Sequence, residues 1–345
     1  MSATHGLKGI LGVDGTSYTS KPTGAIRRTC ALLPRLSSLG WKINLFVPEE
    51  HATTFSHLEG VQTFPLPAPH RPGPLRPLVA GRKLQRAFHQ TKCELLLTEP
   101  PPVPPGLPFV LTVHDFHAWD VPFQSGVLRS LWIRSCFPQA IREAESVIVV
   151  SEFSASRLRK HFPGTPCKVV LNGSNHFPSC GAEPSSKTNW LSVGPWDSLS
   201  QPKLFQGLPG QVTMVGNYKK ALPKNTVLVQ PSDFKLSELY KSSKALICTS
   251  PYEGFNLPLV EALAHGCPVA ATDIPVHREV GGKAARYFTA GNLSSLRACL
   301  KDLETNPPSA QELQEQAQLF SWEQSAQKLD SILQEALRSE SARAE

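Results

Sequence analysis

The chain has 345 residues and a formal net charge of +7, with 40% hydrophobic and 18% charged residues. At roughly 150 residues per domain this length predicts two domains, and the composition excludes wholesale disorder. No run of about eighteen uncharged apolar residues is present, and the opening MSATHGLKGILGVDG lacks the basic-then-apolar pattern of a secretory signal, so a cytoplasmic protein is expected.

Taken in chain order, the first half alternates short apolar runs with helical patterns. KGILGVDG, WKINLFVP, CELLLTE, FVLTVHD and SVIVVSE read as buried parallel strands, with GAIRRTCALLPRLSSLG a helix among them. Two proline-rich stretches, Phe64 to Pro77 and Glu99 to Pro108, are read as extended surface connections, since proline fixes φ and removes a donor. Between Asn172 and Trp190 the composition turns to Ser, Pro and Gly, as in a linker. A second alternation follows: NWLSVGP, QVTMVGN, TVLVQP, KALICTSP and PVAATD as strands, LSELYKSS and PLVEALAHG as helices, then a helical tail. Two doubly wound α/β domains are therefore expected, over 1–175 and 186–320, with a last helix over 321–345 crossing back to the first. Such folds bind ligands at the carboxyl ends of their strands, here in a cleft between the domains.

The eight cysteines form neither a CxxC pair nor a Cys/His cluster, so neither a disulfide framework nor a metal site is expected, and most read as small buried hydrophobes. The charge is uneven. Up to Asn172 there are 19 Lys+Arg against 11 Asp+Glu, and 16 against 17 afterwards. This basic first half either draws an anionic partner or a membrane surface, with Arg71, Arg76, Arg82, Lys83 and Arg86 around the first proline-rich stretch, or is simply solvated. Aromatic and basic residues do not interleave as in single-strand binders, so no nucleic-acid partner is expected.

The most informative segment is SPYEGFNLPLVEALAHGCPVAATDIPVHREVGG, Ser250 to Gly282. A strand enters a tight turn holding Glu253 and Gly254, and Pro258 opens a helix that carries Glu261 in its first turn and stops at Gly266. Amides of Gly254, Phe255, Asn256 and Leu257 at that helix start suit an anion, phosphate above all, and two carboxylates beside it suit sugar or ribose hydroxyls.

This segment resembles the EGFGLPxLEAMAxGxPV signature of retaining nucleotide-sugar glycosyltransferases of family 4, with Glu253 and Glu261 at the E-x7-E spacing. LTVHDFHAW at 111–119, IVVSEFSASRL at 148–158, KVVLNGSN at 168–175 and FSWEQSAQKL at 320–329 are similar to further family patterns, so the likeness spans nearly the whole chain. It implies the GT-B fold, two Rossmann-like domains facing each other across a cleft, and transfer of a sugar from a nucleotide diphosphate sugar with retention, without metal or other cofactor. By that resemblance Glu261 holds the donor ribose, and Glu253 and His114 act at the transferred sugar. Gly254, Phe255, Asn256, Leu257 and Lys203 serve the donor, while Gly24, Asp115 and Ser151, with Glu152, line the acceptor or phosphate side. Each has a plainer reading. Glu253 is then a solvated turn acid, Glu261 a complement to the helix dipole, His114 a core histidine, Gly24 a helix-entry glycine, Ser151 an N-cap, and Lys203 a surface lysine.

In one place the chain departs from the family. The Arg and Lys of a VGxxxxRKN-like stretch are replaced by SVGPWDSLSQPKLFQG, which has no arginine, so the cationic role falls to Lys203, with Lys219 and Lys220 as substitutes, unless all three are solvated surface lysines. That departure motivates a second reading, a non-catalytic relative that binds nucleotide or pairs with an active enzyme. An oxidoreductase is disfavoured, because no GxGxxG follows the first strand.

Overall fold

The computed structural model describes residues 6–21, 23–67, 76–99, 103–123, 126–177, 187–194 and 201–344. The chain divides into two compact units, residues 1–171 with 323–345, and residues 172–322.

The first unit begins with β1 (Gly9–Asp14), α1 (Gly24–Ser38), β2 (Trp41–Pro48), α2 (Ala52–Phe55), β3 (Val61–Leu66) and α3 (Arg76–Gln90). It continues with β4 (Leu95–Thr98), β5 (Phe109–Val113), α4 (His117–Asp120), α5 (Val127–Glu143), β6 (Ser146–Val149), α6 (Glu152–His161) and β7 (Lys168–Val169). The strands form one parallel sheet in the order β3-β2-β1-β4-β5-β6-β7. Central strands such as β4 (LLLT) and β5 (FVLTV) are buried at every residue, as a sheet covered on both faces requires. One face packs α3, α5 and α6 through Leu84, Phe88, Phe137, Ile141 and Leu158.

The last helix, α12 (Trp322–Ala344), belongs to this unit from Glu323 onward. Asp330 ties it down by accepting from the Trp41 indole at 2.7 Å and from Lys8 Nζ at 2.7 and 2.9 Å. Burial raises the Asp330 carboxyl, but these donors outweigh it and hold it below the ordinary carboxylate range.

The second unit contains β8 (Asn189–Val193), a 3-10 turn over Pro202–Gly207, β9 (Val212–Val215), β10 (Thr226–Val229), α7 (Asp233–Ser242), β11 (Ser243–Cys248) and α8 (Leu257–Ala264). β12 (Val269–Thr272), α9 (Pro275–Gly281), β13 (Ala285–Phe288), α10 (Leu293–Thr305) and α11 (Ala310–Gln318) complete it. Its parallel sheet runs β10-β9-β8-β11-β12-β13 around a core of Trp190, Phe205, Met214, Ile247 and Phe288.

Three strands were not read from the sequence. Phe64–Leu66, assigned above to a connection, completes β3, where Pro65 is tolerated because the strand is at the sheet edge; Arg76 and Pro77 open α3. β7 has only two residues, and β13 (ARYF) carries two half-buried polar side chains. Residues 68–75, 100–102 and 178–186, which carry part of the proline-rich and linker sequence, lie outside the described residues, as do Cys180 and residues 195–200 of the stretch that departs from the family. Of the other cysteines, Cys93, Cys248, Cys267 and Cys299 are buried, whereas Cys30, Cys136 and Cys167 are half-buried.

Candidate functional site

In each sheet the strand order reverses direction once, between β1 and β4 in the first and between β8 and β11 in the second. Ligands of open α/β sheets bind beyond the carboxyl ends of the strands at such a switch point. The motif turn Ser250–Asn256 leaves the carboxyl end of β11, so it lies at the switch point of the second sheet.

The turn is built by its own side chains. Ser250 Oγ donates to Tyr252 O at 2.8 Å, and Thr272 Oγ1 at the end of β12 donates to Ser250 O. Asn256 is the N-cap of α8 and sits in the left-handed region (φ 74°, ψ 75°), which Asn tolerates better than most residues. Its Oδ1 accepts from Leu259 N at 3.2 Å and its Nδ2 meets His277 Nε2 at 2.8 Å. His277 is fully buried, and its Nδ1 lies 2.9 Å from Thr272 O. A carbonyl only accepts, so Nδ1 carries the proton and Nε2 receives the Asn256 amide. Burial pushes His277 down to about 4, against the Thr272 hydrogen bond that would raise it.

Glu261 is not in the first turn of α8, as the sequence reading had it. The helix begins at Leu257 and holds no acid in its first turn, so the dipole explanation for Glu261 loses its geometry. The side chain is only 2% exposed. Tyr240 from α7 donates to its Oε2 at 2.7 Å, and His176 Nε2 lies 3.1 Å from Oε1. The Trp322 indole, which can only donate, reaches His176 Nδ1 at 3.1 Å. His176 therefore keeps its proton on Nε2, turned to Glu261. Phe177 packs edge-on against Tyr240 and His265, with ring centroids 6.0 and 5.2 Å apart, and Tyr240 stacks on His265. Burial lowers the His265 imidazole despite the bond from its ring to Glu261 O.

The other donor-side residues are more open. Glu253 and Gly254 are half-buried, whereas Phe255 and Leu257 are buried by their side chains. Lys203 is exposed on the 3-10 turn whose approach is anchored by Gln201 N donating to Thr249 Oγ1 at 3.3 Å. Lys219 and Lys220 are exposed after β9.

The first unit gathers a second polar group at its own switch point. Asp14, 4% exposed at the end of β1, accepts from Thr16 N and Oγ1 and from Thr98 Oγ1 at the end of β4. Burial raises its carboxyl against those donors. Glu99 follows β4 and accepts from Thr29 at 3.3 Å, and His114 Nε2 after β5 lies 3.2 Å from the same oxygen. Thr29 also shares a 2.7 Å hydrogen bond with Tyr18, whose hydroxyl burial shifts well up. Arg28 is buried beside them, donates to Val170 O at 3.1 Å, and is pushed down to about 10 by burial.

The remaining first-unit candidates have local structural duties. Asp115 accepts from His117 N at 2.9 Å and from the His117 ring at 2.7 Å; burial opposes, but His117 wins and the carboxyl falls below its ordinary range. Ser151 is completely buried and caps α6 by accepting from Ser154 N at 3.0 Å. Gly24 is the exposed first residue of α1, behind its cap Thr23. Glu152 is exposed in the first turn of α6. Tyr240, His176, Trp322 and His277 in the second unit, and Asp14, Thr98 and Glu99 in the first, were not singled out from the sequence. No group of three or more His, Cys, Asp or Glu among the described residues is arranged to hold a metal.

Two doubly wound units, each with polar side chains at the switch point, define a two-domain α/β protein. Residues 22–176 match the family described as Glycosyltransferase Family 4, and residues 213–320 match Glycosyl transferases group 1. The O-antigen chain mannosyltransferase RfbU of Salmonella typhimurium is 25% identical over 219 residues, 57% of this chain and 61% of that protein. The serotype-specific mannosyltransferase WbdA of Escherichia coli is 38% identical over 97 residues, 28% of this chain but only 12% of its own length. The chain thus spans less than two thirds of these relatives. Among solved structures, sucrose-phosphate synthase from Thermosynechococcus elongatus is similar with a TM-score of 0.79 at 16% identity, covering 96% of this chain and 99% of that one. HepE of Anabaena, solved with UDP and glucose, gives 0.71 at 18% identity, covering 94% and 98%. The two matched domains and the fold are those of a GT-B glycosyltransferase.

Proposed function

We propose that the protein transfers a hexose from a nucleotide diphosphate sugar to an acceptor glycan, lipid or small molecule, with retention at the anomeric carbon and without a metal. One observation carries this reading: the turn bearing Glu253 and the start of α8 stand at the switch point of the second sheet, with Glu261 one turn further on. Tyr240 donates to Glu261 and His176 lies beside it, so the carboxylate that the family resemblance sets on the donor ribose is held in a fixed orientation.

As the bond to the anomeric carbon lengthens, negative charge grows on the leaving diphosphate. Amides at the start of α8 have no intrahelical acceptor, and such preorganised donors are each worth about 3 kcal/mol of barrier. Lys203 supplies the cation that the family places on an arginine. Glu253 steadies the transferred sugar, and His114, beside Glu99, is the histidine that the family resemblance assigns to the sugar's reaction. The mannosyltransferase names of the relatives make an activated mannose the first donor to try, and the UDP and glucose bound to HepE make UDP-glucose the second.

The test is incubation with both donors and a panel of glycosides and lipids, with proton NMR of the product. Transfer with the donor's own anomeric configuration supports the proposal, and an inverted linkage contradicts the mechanism. Tight nucleotide binding with no turnover on any acceptor favours the second reading, a non-catalytic relative, for which the absence of an arginine near Lys203 is the motive.

A further inference from the structure

A different face of the first unit is left apolar and unpaired. Helix α5 buries Ser130, Phe137, Ala140 and Ile141. It nevertheless carries a second apolar stripe toward solvent at positions i, i+3 and i+4, namely Leu128 (84% exposed), Leu131 (56%) and Trp132 (41%). Val127 is exposed beside it, and so is Phe123 (85%). Phe123 is held next to the helix, because Ser130 Oγ donates to Pro122 O at 3.2 Å. A helix apolar on both sides has something to cover its outer side.

The charge around the stripe says what that is. Residues 121–142 contain three arginines and no acid. Arg134 is spent on fixing α5 to α4, donating to Ala118 O at 2.8 Å, while Arg129 and Arg142 are exposed. α3 packs on the same sheet face as α5 and adds exposed Arg82 and Arg86. Phe, Leu and Trp beside arginine are the side chains that enter the headgroup boundary of a bilayer, with the indole at the interface and the guanidinium on lipid phosphate. Among the described residues no helix is long and apolar enough to cross a membrane.

We infer that Phe123, Leu128, Leu131 and Trp132, flanked by Arg129, seat this protein peripherally on an anionic lipid surface. The inference is independent of the sugar-transfer reading and places the lipid contact on α5 rather than on the proline-rich stretch.

The test is co-sedimentation of the full chain with phosphatidylcholine vesicles, with and without phosphatidylglycerol. The wild type is expected to bind the anionic vesicles preferentially, and less in high salt. The triple variant Phe123→Ser/Leu128→Ser/Trp132→Ser is expected to lose about tenfold or more in partitioning, since each side chain contributes buried apolar area. Arg129→Glu is expected to lose several-fold by itself. Circular dichroism and thermal melting confirm the fold of each variant. Should the triple variant be unstable, Leu128→Ser alone, at a largely exposed site, takes its place. Wild-type binding that ignores lipid charge, unchanged partitioning of a folded variant, or patch-dependent self-association without vesicle binding would each overturn the inference.

Discussion

Replacement of Asn256 probes the motif turn at the residue on which it depends. The side chain does three things at once: it caps α8 at Leu259 N, it donates to buried His277 Nε2, and it tolerates φ of 74°. Asn256→Ala forfeits a cap worth about 1 kcal/mol. It also leaves a buried imidazole nitrogen without its donor, about 1 kcal/mol or somewhat more, and replaces asparagine, which tolerates the left-handed region, with a residue that does not, at about 1 kcal/mol. The expected loss in denaturant unfolding at pH 8 is therefore about 3 kcal/mol. Asn256→Gly removes the backbone penalty and most of the cap cost, so it should recover more than 1 kcal/mol relative to Ala. Asn256→Asp keeps the cap but turns a carboxylate toward Nε2, which draws a proton onto His277. Its stability should accordingly respond to acid less steeply than the wild type does. Ala and Gly variants of equal, near-wild-type stability, or an Asp variant with an unchanged pH profile, would refute the assigned geometry.

Acid sensitivity of the second unit follows from the same histidine. His277 has a folded value of about 4 against an ordinary 6.5, so the unfolded chain takes the proton first. Stability should be full above about pH 6.5 and fall by about 3 kcal/mol as pH drops to about 4, a slope that calorimetry across that range would show and His277→Gln should flatten. Gly173→Ala should destabilise this unit by more than 2 kcal/mol in urea, an overpacking cost, because a Cβ there would lie 2.4 Å from the backbone nitrogen of Trp322. Tyr240→Phe removes a donor from a buried carboxylate and should cost about 2 kcal/mol. Equal melting of Tyr240→Phe and wild type would show that the hydroxyl does not hold Glu261.

Much of the fold was legible because buried parallel strands announce themselves as apolar runs. β1, β2 and β4 to β6 in the first unit, and β8 to β12 in the second, have that character. β3 was hidden by Pro65, a residue that only an edge strand admits, and β7 and β13 by their shortness and polarity. The site was half visible. Glu253, Asn256 and Glu261 share one motif, so the local pattern of strand, turn and helix exposed them. Tyr240 and His176 reach Glu261 from 21 and 85 residues away in sequence, Trp322 backs His176 from 146 residues away, and no short-range period connects them. Glu261 itself was placed one turn too early, since the left-handed cap at Asn256 that sets the helix start has no sequence signature beyond the asparagine. Ser151 and Asp115, expected on the acceptor side, also hold the backbone of their own loops.

The central claim is that Glu261 grips the nucleotide half of the donor, and titration calorimetry of UDP and GDP into wild type and Glu261→Gln tests it most directly. A folded variant, verified by its melting curve, should bind the nucleotide about a hundredfold more weakly, equivalent to about 2.7 kcal/mol. Equal affinity for both proteins would contradict the claim, because the carboxylate would then serve the fold and not the nucleotide.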